Sequence, residues 1–467
     1  MASKPRICKG TRDFNSQEIA KREYIFSTIK SNFKRFGFSP IETPSFELSE
    51  TLLGKYGEEG DRLIFKILNS GEKVKKADIT ALKNNQLVRF SNSLSEKALR
   101  YDLTVPFARY VVQNQNEITF PFKRYQIQAV WRADRPQRGR FQEFYQCDAD
   151  AVGSNSLWQE VEFIQLYDAV FTDLKLKGVR IKINNRKILT AIAEIIGAQD
   201  KLIDFTVALD KLDKIGEARV KEEMLSKGIP ANNIELLEPL FNIAGSFESQ
   251  LVALGVLLET SEIGKTGLSE LEFISNTINS IGLQTAVLEL DVTLARGLNY
   301  YTGSIFEVFV PETISLGSIG GGGRYDDLTS IFGLKGVSGV GISFGLDRIA
   351  LVLEELVLFP KENLQNTQVL FTNFGPDESL YCYKAIQALR ANGITAELYP
   401  DPIKLKKQIN YADKCSIPYV VLVGDQEMSN SKYSLKKMAD GSQKILDLQA
   451  LIVHLKTKKP LEIKGLK

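Results

Sequence analysis

The stretch WRADRPQRGRFQEFYQCDAD, Trp131 to Asp150, decides how the chain is read. Arginines stand at 132, 135, 138 and 140, interrupted by the turn residues Pro136 and Gly139. On either side the pattern alternates. Tyr125, Ile127, Ala129 and Trp131 fall on one face, with Gln126, Gln128, Val130 and Arg132 on the other; in the return, Gln142, Phe144, Gln146, Asp148 and Asp150 share a face. The expectation is a hairpin of two strands with a cationic tip. Gln146 and Asp150 then stand on one side of the sheet about 13 Å apart, at about 3.3 Å per residue, which suits a ligand with two polar ends. Guanidinium forks at the tip suit phosphate oxygens. Taken alone, such a block is more often an ordinary solvated hairpin with basic residues at its turn.

At 467 residues, with 43% hydrophobic and 25% charged residues, the chain has the makeup of a globular protein of two or three domains. No apolar run approaches the roughly eighteen residues of a membrane span, so no membrane association is expected. The start, MASKPRICKGTRDF, lacks a secretory leader's apolar stretch and a transit peptide's amphipathic pattern, and a cytoplasmic location follows as the expectation. Cys8, Cys147, Cys382 and Cys415 are scattered without a CxxC pair, so neither a disulfide framework nor a metal site is expected. Net charge is +2, yet residues 361–467 hold 16 Lys+Arg against 11 Asp+Glu. A solvated lysine surface and contact with nucleic acid explain that equally well.

Asn15 with Glu18 reads as a capping box opening a helix in which Phe26, Ile29, Phe33 and Phe36 recur at helical spacing, until Gly37 stops it. From FSPIETPSFE to FQEFYQCDADAV the period shifts toward two, giving a mostly antiparallel sheet. Residues 185–285 read as a helical insertion, with Leu209, Leu212, Ile215, Val220 and Met224 in one run that Gly228 and Pro230 end. Strand patterns return in YYTGSIFEVFV and GVGISFGLDRIA, so chain on both sides of the insertion completes the sheet. VLFPKENLQNTQ reads as a linker, and beyond it strands and helices alternate as a small α/β module. SIGGGGRYDDL has no GK[ST] ending and opens no βαβ unit; its glycines serve either a close backbone approach beside a pocket or a tight turn. The single imidazole, His454, is expected to pack in a terminal helix.

Together these blocks resemble the class II aminoacyl-tRNA synthetases, and most closely the histidyl-tRNA synthetase family. KGTRDF at 9–14 resembles that family's N-terminal signature, FGFSPIETPSFE its motif 1 with Pro44 in the dimer interface, and the Arg132 hairpin its motif 2. LRYDLTVPFARY at 99–110 resembles the histidine-binding segment. ARGLNYYTG at 295–303 resembles the histidyl signature, although Asn299 stands where an aspartate is commoner, and GVGISFGLDRI resembles motif 3. The resemblance implies an α+β fold: a class II antiparallel sheet flanked by helices in 1–184 and 286–360, a helical insertion at 185–285, and an α/β anticodon-binding domain at 366–467. It implies activation of L-histidine with ATP, carried with Mg2+, then transfer to the 3′ end of tRNA(His) by a homodimer.

The resemblance also assigns residues. Arg132 and Arg296 are the expected catalytic cations, at the α-phosphate and the substrate carboxylate, while Arg348 holds the distal phosphates of ATP. Asp102, Thr104 and Gln146 belong to the site for the amino acid's ammonium end, Asp150, Tyr300 and Tyr301 to the site for its ring, and Leu103 is counted among the histidine-binding residues. Lys404, Lys406, Lys407 and Lys414 are candidate tRNA contacts. Two rivals share the pattern. One is a catalytically silent relative used as a regulatory subunit or an uncharged-tRNA sensor, which the full arginine set and the C-terminal module disfavour. The other is a prolyl- or threonyl-type synthetase, which RGLNYY and the lack of a Cys/His zinc pocket disfavour.

Overall fold

The arginine-tipped hairpin forms the spine of an eight-stranded sheet. Its outgoing strand Phe122–Trp131 and return strand Glu143–Val152 pair antiparallel, from Phe122 opposite Val152 to Trp131 opposite Glu143. The computed structural model describes residues 4–295, 300–360 and 367–456. The strands lie in the order Ser39–Pro40, Phe122–Trp131, Glu143–Val152, Gly339–Gly345, Gly320–Tyr325, Ser304–Phe309, Arg180–Asn185 and Val287–Leu290. Only the first and last neighbouring pairs are parallel; the others are antiparallel.

Alternation along these strands gives the sheet two unlike faces. Tyr125 and Phe344 point to a helical layer, where Phe33 of helix Ser16–Arg35 and Tyr167 and Phe171 of helix Trp158–Asp173 meet them. Ring centroids are 5.3 Å apart for Phe33 and Tyr125 and 4.8 Å for Tyr167 and Phe344, so the aromatic payload of three elements fuses into one core. Asn15 and Glu18 cap the first of these helices reciprocally, each side chain accepting from the other's backbone N–H. The opposite face carries Arg124, Gln126, Gln146, Asp148, Asp150 and Ser343. Most of these are buried, and a face this polar is costly to bury unless it is paired or serves a ligand.

Gly320–Tyr325 is a strand, which resolves the glycine run as close approach rather than a turn. Its last turn of sequence is anchored by Arg324, which forks onto Glu160 with both N–O distances at 2.6 Å in a buried pair with helix Trp158–Asp173. Between Asn185 and Val287 the main elements are helices, the longest being Glu262–Ile281. The run expected from Leu209 to Met224 is broken into Leu202–Leu209, Leu212–Ile215 and Glu217–Ser226. The apolar spacing survives, with Leu209, Val220 and Met224 fully buried, but Asp210 and Gly216 end the intervening turns.

The described residues divide into two units, the larger holding those up to Asp13 and Arg22–Leu358, the smaller holding Phe14–Lys21 and those from Phe359 onward. The smaller has a five-stranded sheet in the order Ala396–Leu398, Val369–Phe371, Tyr419–Leu422, Tyr433–Lys437, Gln443–Leu446. Val369, Phe371 and Val421 face helices Pro376–Ala391 and Leu448–Lys456 through Ile386, Leu389 and Leu451, while Leu370 and Val420 face Ala412 of helix Leu405–Lys414. His454 is half-buried, edge-on to Tyr419 with centroids 6.0 Å apart. No described helix is long and apolar enough to cross a membrane.

Candidate active site

The polar face of the large sheet holds a recess of about 40 Å³. It brings together Asp102, Thr104, Gln146, Asp150, Tyr300 and Tyr301, all expected from the sequence, and adds Asp148, Ser343 and Tyr325. The register of four strands explains the convergence: Arg124 stands opposite Asp150, Asp150 opposite Gly341, and Gly341 opposite Gly323. Arg124 forms an ion pair with Asp150 Oδ2 at 2.7 Å with both side chains buried, and the Tyr325 hydroxyl donates to Oδ1 at 2.6 Å. Burial raises the Asp150 carboxyl above its ordinary range, opposed by the Arg124 charge and the Tyr325 bond. Both of its oxygens are engaged, though a carboxylate retains lone pairs for a further donor.

This arrangement requires glycine on the next strand. A Cβ at Gly341 would lie 2.0 Å from Asp150 Oδ1, so any side chain there would expel the carboxylate from the recess. Tyr301 uses the adjoining space, since a Cβ at Gly323 would lie 2.8 Å from its ring. The Tyr300 and Tyr301 rings meet edge to face at 5.0 Å.

Asp102 precedes helix Thr104–Gln113 and accepts from the Tyr56 hydroxyl at 2.9 Å, from the Val105 N–H at 3.2 Å and from the Tyr300 hydroxyl at 3.5 Å. Burial raises its carboxyl, while the Arg132 charge pulls it back. Leu103 is wholly buried and does not line the recess; it takes part through its carbonyl, which accepts from Arg124 at 3.3 Å. Asp148 is the third buried carboxylate. Burial pushes it up to about 7, Arg124 opposes, and the neighbouring Asp150 and Asp102 charges add to the rise.

The recess opens onto a cleft of about 940 Å³, and Gln146, Tyr301, Gly321 and Ser343 line both. Arg132 stands in the cleft wall. Its Nε donates to the Tyr101 carbonyl at 3.0 Å, a terminal N–H reaches Gln146 Oε1 at 3.5 Å, and the guanidinium lies 4.2 Å from the Tyr101 ring centroid and 5.2 Å from that of Phe144. Arg348, in the first turn of helix Leu346–Glu355, donates to the Gly139 carbonyl at 3.2 Å and the Ser318 carbonyl at 2.6 Å. The hairpin tip reaches Arg348 through Gly139, whose φ of +71° a side chain would rarely adopt. Asp347 is held by Arg22 at 2.7 Å and by Arg12, which fixes the start of that helix. Arg138 and Arg140 line the cleft from the exposed tip, and Arg138 pairs with Glu355 at 3.0 Å. Arg296 lies outside the described residues. In the smaller unit Lys406, Lys407 and Lys414 are exposed on helix Leu405–Lys414, with Lys404 just ahead of it.

The sequence offered a signal for two residues that the site adds. Asp148 shares the period-two face of Gln146 and Asp150, and Arg124 falls opposite Asp150 once the hairpin register is known. Tyr56 and Tyr325 arrive from distant segments, 46 and 175 residues from the carboxylates they touch, and no local pattern marks them.

Comparison with known proteins fits this geometry. The profile of the histidyl-tRNA synthetase family matches residues 80–349, and that of the anticodon-binding domain matches 368–458. The chain is 66% identical to the histidine-tRNA ligase of Christiangramia forsetii, over 98% of this chain and all of the other, and 62% identical to that of Flavobacterium johnsoniae, over 97% and 99%. The crystal structure of histidyl-tRNA synthetase from Nostoc sp. superposes with a TM-score of 0.80 at 30% identity, over 98% of this chain and 100% of that one. With recess, cleft, sheet and both profiles in agreement, the chain belongs to the histidyl-tRNA synthetase family.

Proposed function

We propose that this chain is a histidine-tRNA ligase, an enzyme that joins L-histidine to ATP as histidyl-adenylate, releases pyrophosphate, and then passes the histidyl group to the 3′ end of tRNA(His). The observation that carries the reading is the continuity of two unlike spaces: a cleft walled by Arg132 and Arg348 that leads into a recess lined by carboxylates, tyrosines and Gln146. An amino acid in the recess and a triphosphate in the cleft meet at the shared wall, where Gln146 and Arg132 approach each other at 3.5 Å.

In the first step the histidine carboxylate attacks the α-phosphorus and pyrophosphate leaves, so positioning and charge dispersal supply most of the catalysis. By resemblance Arg132 and Arg296 hold the α-phosphate and the substrate carboxylate, a role that the position of Arg132 in the cleft wall supports. Arg348 holds the distal phosphates, and Mg2+ arrives as part of the ATP complex. Asp102, Thr104 and Gln146 accept from the ammonium group, with the Leu103 carbonyl keeping the Arg124 side of the wall in place. Asp150, Tyr301 and Tyr300 present an acceptor and hydroxyls to the imidazole's one N–H and one bare nitrogen. An amino acid that leaves these buried groups unpaired is rejected strongly.

The same reading assigns 1–184 and 286–360 to the catalytic core, 185–285 to an insertion, and 366–467 to anticodon binding, with Lys404, Lys406, Lys407 and Lys414 on phosphates. It includes a cytoplasmic homodimer. Pro44 falls in the family's interface segment, and Phe46 and Leu48 expose two apolar side chains on one face of strand Phe46–Leu48, a surface a second copy can cover. The test is pyrophosphate exchange with each of the twenty amino acids. Exchange with histidine alone is expected, and exchange with none, or with another amino acid, overturns the assignment.

A further inference from the structure

Three carboxylates, Asp102, Asp148 and Asp150, are buried around one recess, and they are not equally provided for. Asp150 has the Arg124 guanidinium and the Tyr325 hydroxyl. Asp102 has the Tyr56 hydroxyl, a backbone N–H and Tyr300. Asp148 has the Ser343 hydroxyl and a long contact of 3.5 Å to the Gln146 amide. The charged and titratable groups around it are Arg124 on the outgoing strand, Asp150 and Cys147 on its own strand, Asp102 ahead of helix Thr104–Gln113, Tyr301, and Tyr167 of helix Trp158–Asp173. Arg124 is the single wholly buried cation among them, and Asp150 already claims it.

Resting on the reading of the recess as the amino-acid site, we propose that Asp148 is a further amino-acid-binding residue: it holds a proton in the ligand-free enzyme and releases it to solvent when the substrate's ammonium group enters. The incoming cation supplies the countercharge that the protein withholds, and the freed carboxylate becomes its acceptor. Burial and the neighbouring carboxylates place this carboxyl at about 7 before substrate arrives, so the exchange falls within the working pH range. The sign follows from linkage. Binding favours the deprotonated form, so affinity is independent of this group well above pH 7 and falls as pH drops below it, toward tenfold per pH unit.

The measurement is isothermal titration of L-histidine into the full-length enzyme at pH 7, in buffers of different ionisation enthalpy, to count protons released. The imidazole's own titration contributes to the raw count, and the isosteric Asp148→Asn enzyme subtracts it. The parent is expected to release about half a proton more than Asp148→Asn at pH 7, and its affinity to fall more steeply from pH 7.5 to 6. Ser343→Ala removes the hydroxyl that favours the anion, so its affinity profile should shift to higher pH, which keeps the proposal open to refutation even if Asp148→Asn binds too weakly to titrate. Equal proton counts in parent and Asp148→Asn, or unshifted profiles in Ser343→Ala, overturn the role of Asp148 while leaving the recess as the amino-acid site. Failure of the parent to bind histidine overturns both.

Discussion

The recess and the cleft each place arginine near an expected ligand, and they do so in opposite ways. Behind the recess, Arg124 is wholly buried and its charge is met at 2.7 Å by Asp150, which lines it. In the cleft, Arg132 is held by the Tyr101 carbonyl, by Gln146 and by two aromatic faces, none of which carries a negative charge. The first cation is neutralised and serves to orient a carboxylate toward the recess. The second is oriented by neutral groups; the Asp102 carboxyl feels its charge, but among the described residues no carboxylate forms an ion pair with it, so it remains available to an anion in the cleft. The difference matters because a guanidinium already paired with a carboxylate gains little from a phosphate, whereas one held by carbonyls and rings gains the full charge-assisted bond in a partly desolvated site.

The strongest way to break this comparison is to remove the unneutralised cation. Arg132→Ala is expected to lower histidine-dependent pyrophosphate exchange by about 10²–10³, the usual loss for a fixed donor aimed at developing charge, with the unfolding midpoint close to the parent's. A loss below tenfold would mean that Arg132 is a wall residue. Arg132→Lys sharpens the result: if the planar fork matters and not charge alone, lysine should recover only a small part of the rate.

Asp150→Asn attacks the neutralised pair, and here stability should change along with binding. The variant leaves Arg124 buried without its countercharge, which typically costs about 3–5 kcal/mol, so urea unfolding should show a large loss together with a raised KM for histidine. The next carboxylate on the same face should behave oppositely. Asp148 has a folded-state value near 7, above the unfolded one, so its contribution is present at low pH and lost as pH rises through 7. Asp148→Asn should therefore be neutral or stabilising at pH 8. Matching destabilisation of the two variants would erase the distinction between a paired and an underprovided carboxylate.

How much of this was legible beforehand depends on the range of the interaction that carries it. The hairpin, its arginine tip and the shared face of Gln146 and Asp150 follow from a period of two over ten residues, and the structure keeps them. The capping of the first helix by Asn15 and Glu18 is equally local. Beyond that span, the sequence could suggest Asp150 as a ligand group but not that Arg124 and Tyr325 hold it, because both contacts depend on strand pairing and on a segment 175 residues away. The glycine run shows the same limit. Turn and close approach were indistinguishable until the neighbouring strands were in place, since the decisive atoms belong to other segments.

Gly341 tests that close approach directly. With a Cβ 2.0 Å from Asp150 Oδ1, Gly341→Ala must push the carboxylate or the strand aside, an overpacking cost of about 1–3 kcal/mol. The expected result is a raised KM for histidine with a smaller change in KM for ATP, since the displaced group faces the recess. Equal changes in both would place the damage in the sheet as a whole.

The smallest effect should come from a third kind of cation. Lys406 is exposed on helix Leu405–Lys414, neither neutralised in a core nor held by carbonyls in a cleft. A solvated ammonium contributes to a phosphate contact chiefly by releasing counterions, so its value depends on salt. Lys406→Ala should raise the KM for tRNA in the charging reaction by about two- to threefold at low salt and flatten its salt dependence by somewhat under one ion. The effect should fade as ionic strength rises, whereas the Arg132 defect, which arises in a walled cleft, should persist. If Lys406→Ala leaves both the tRNA KM and the salt slope at the parent's values, that lysine is only surface, and the contrast reduces to the two arginines of the larger unit.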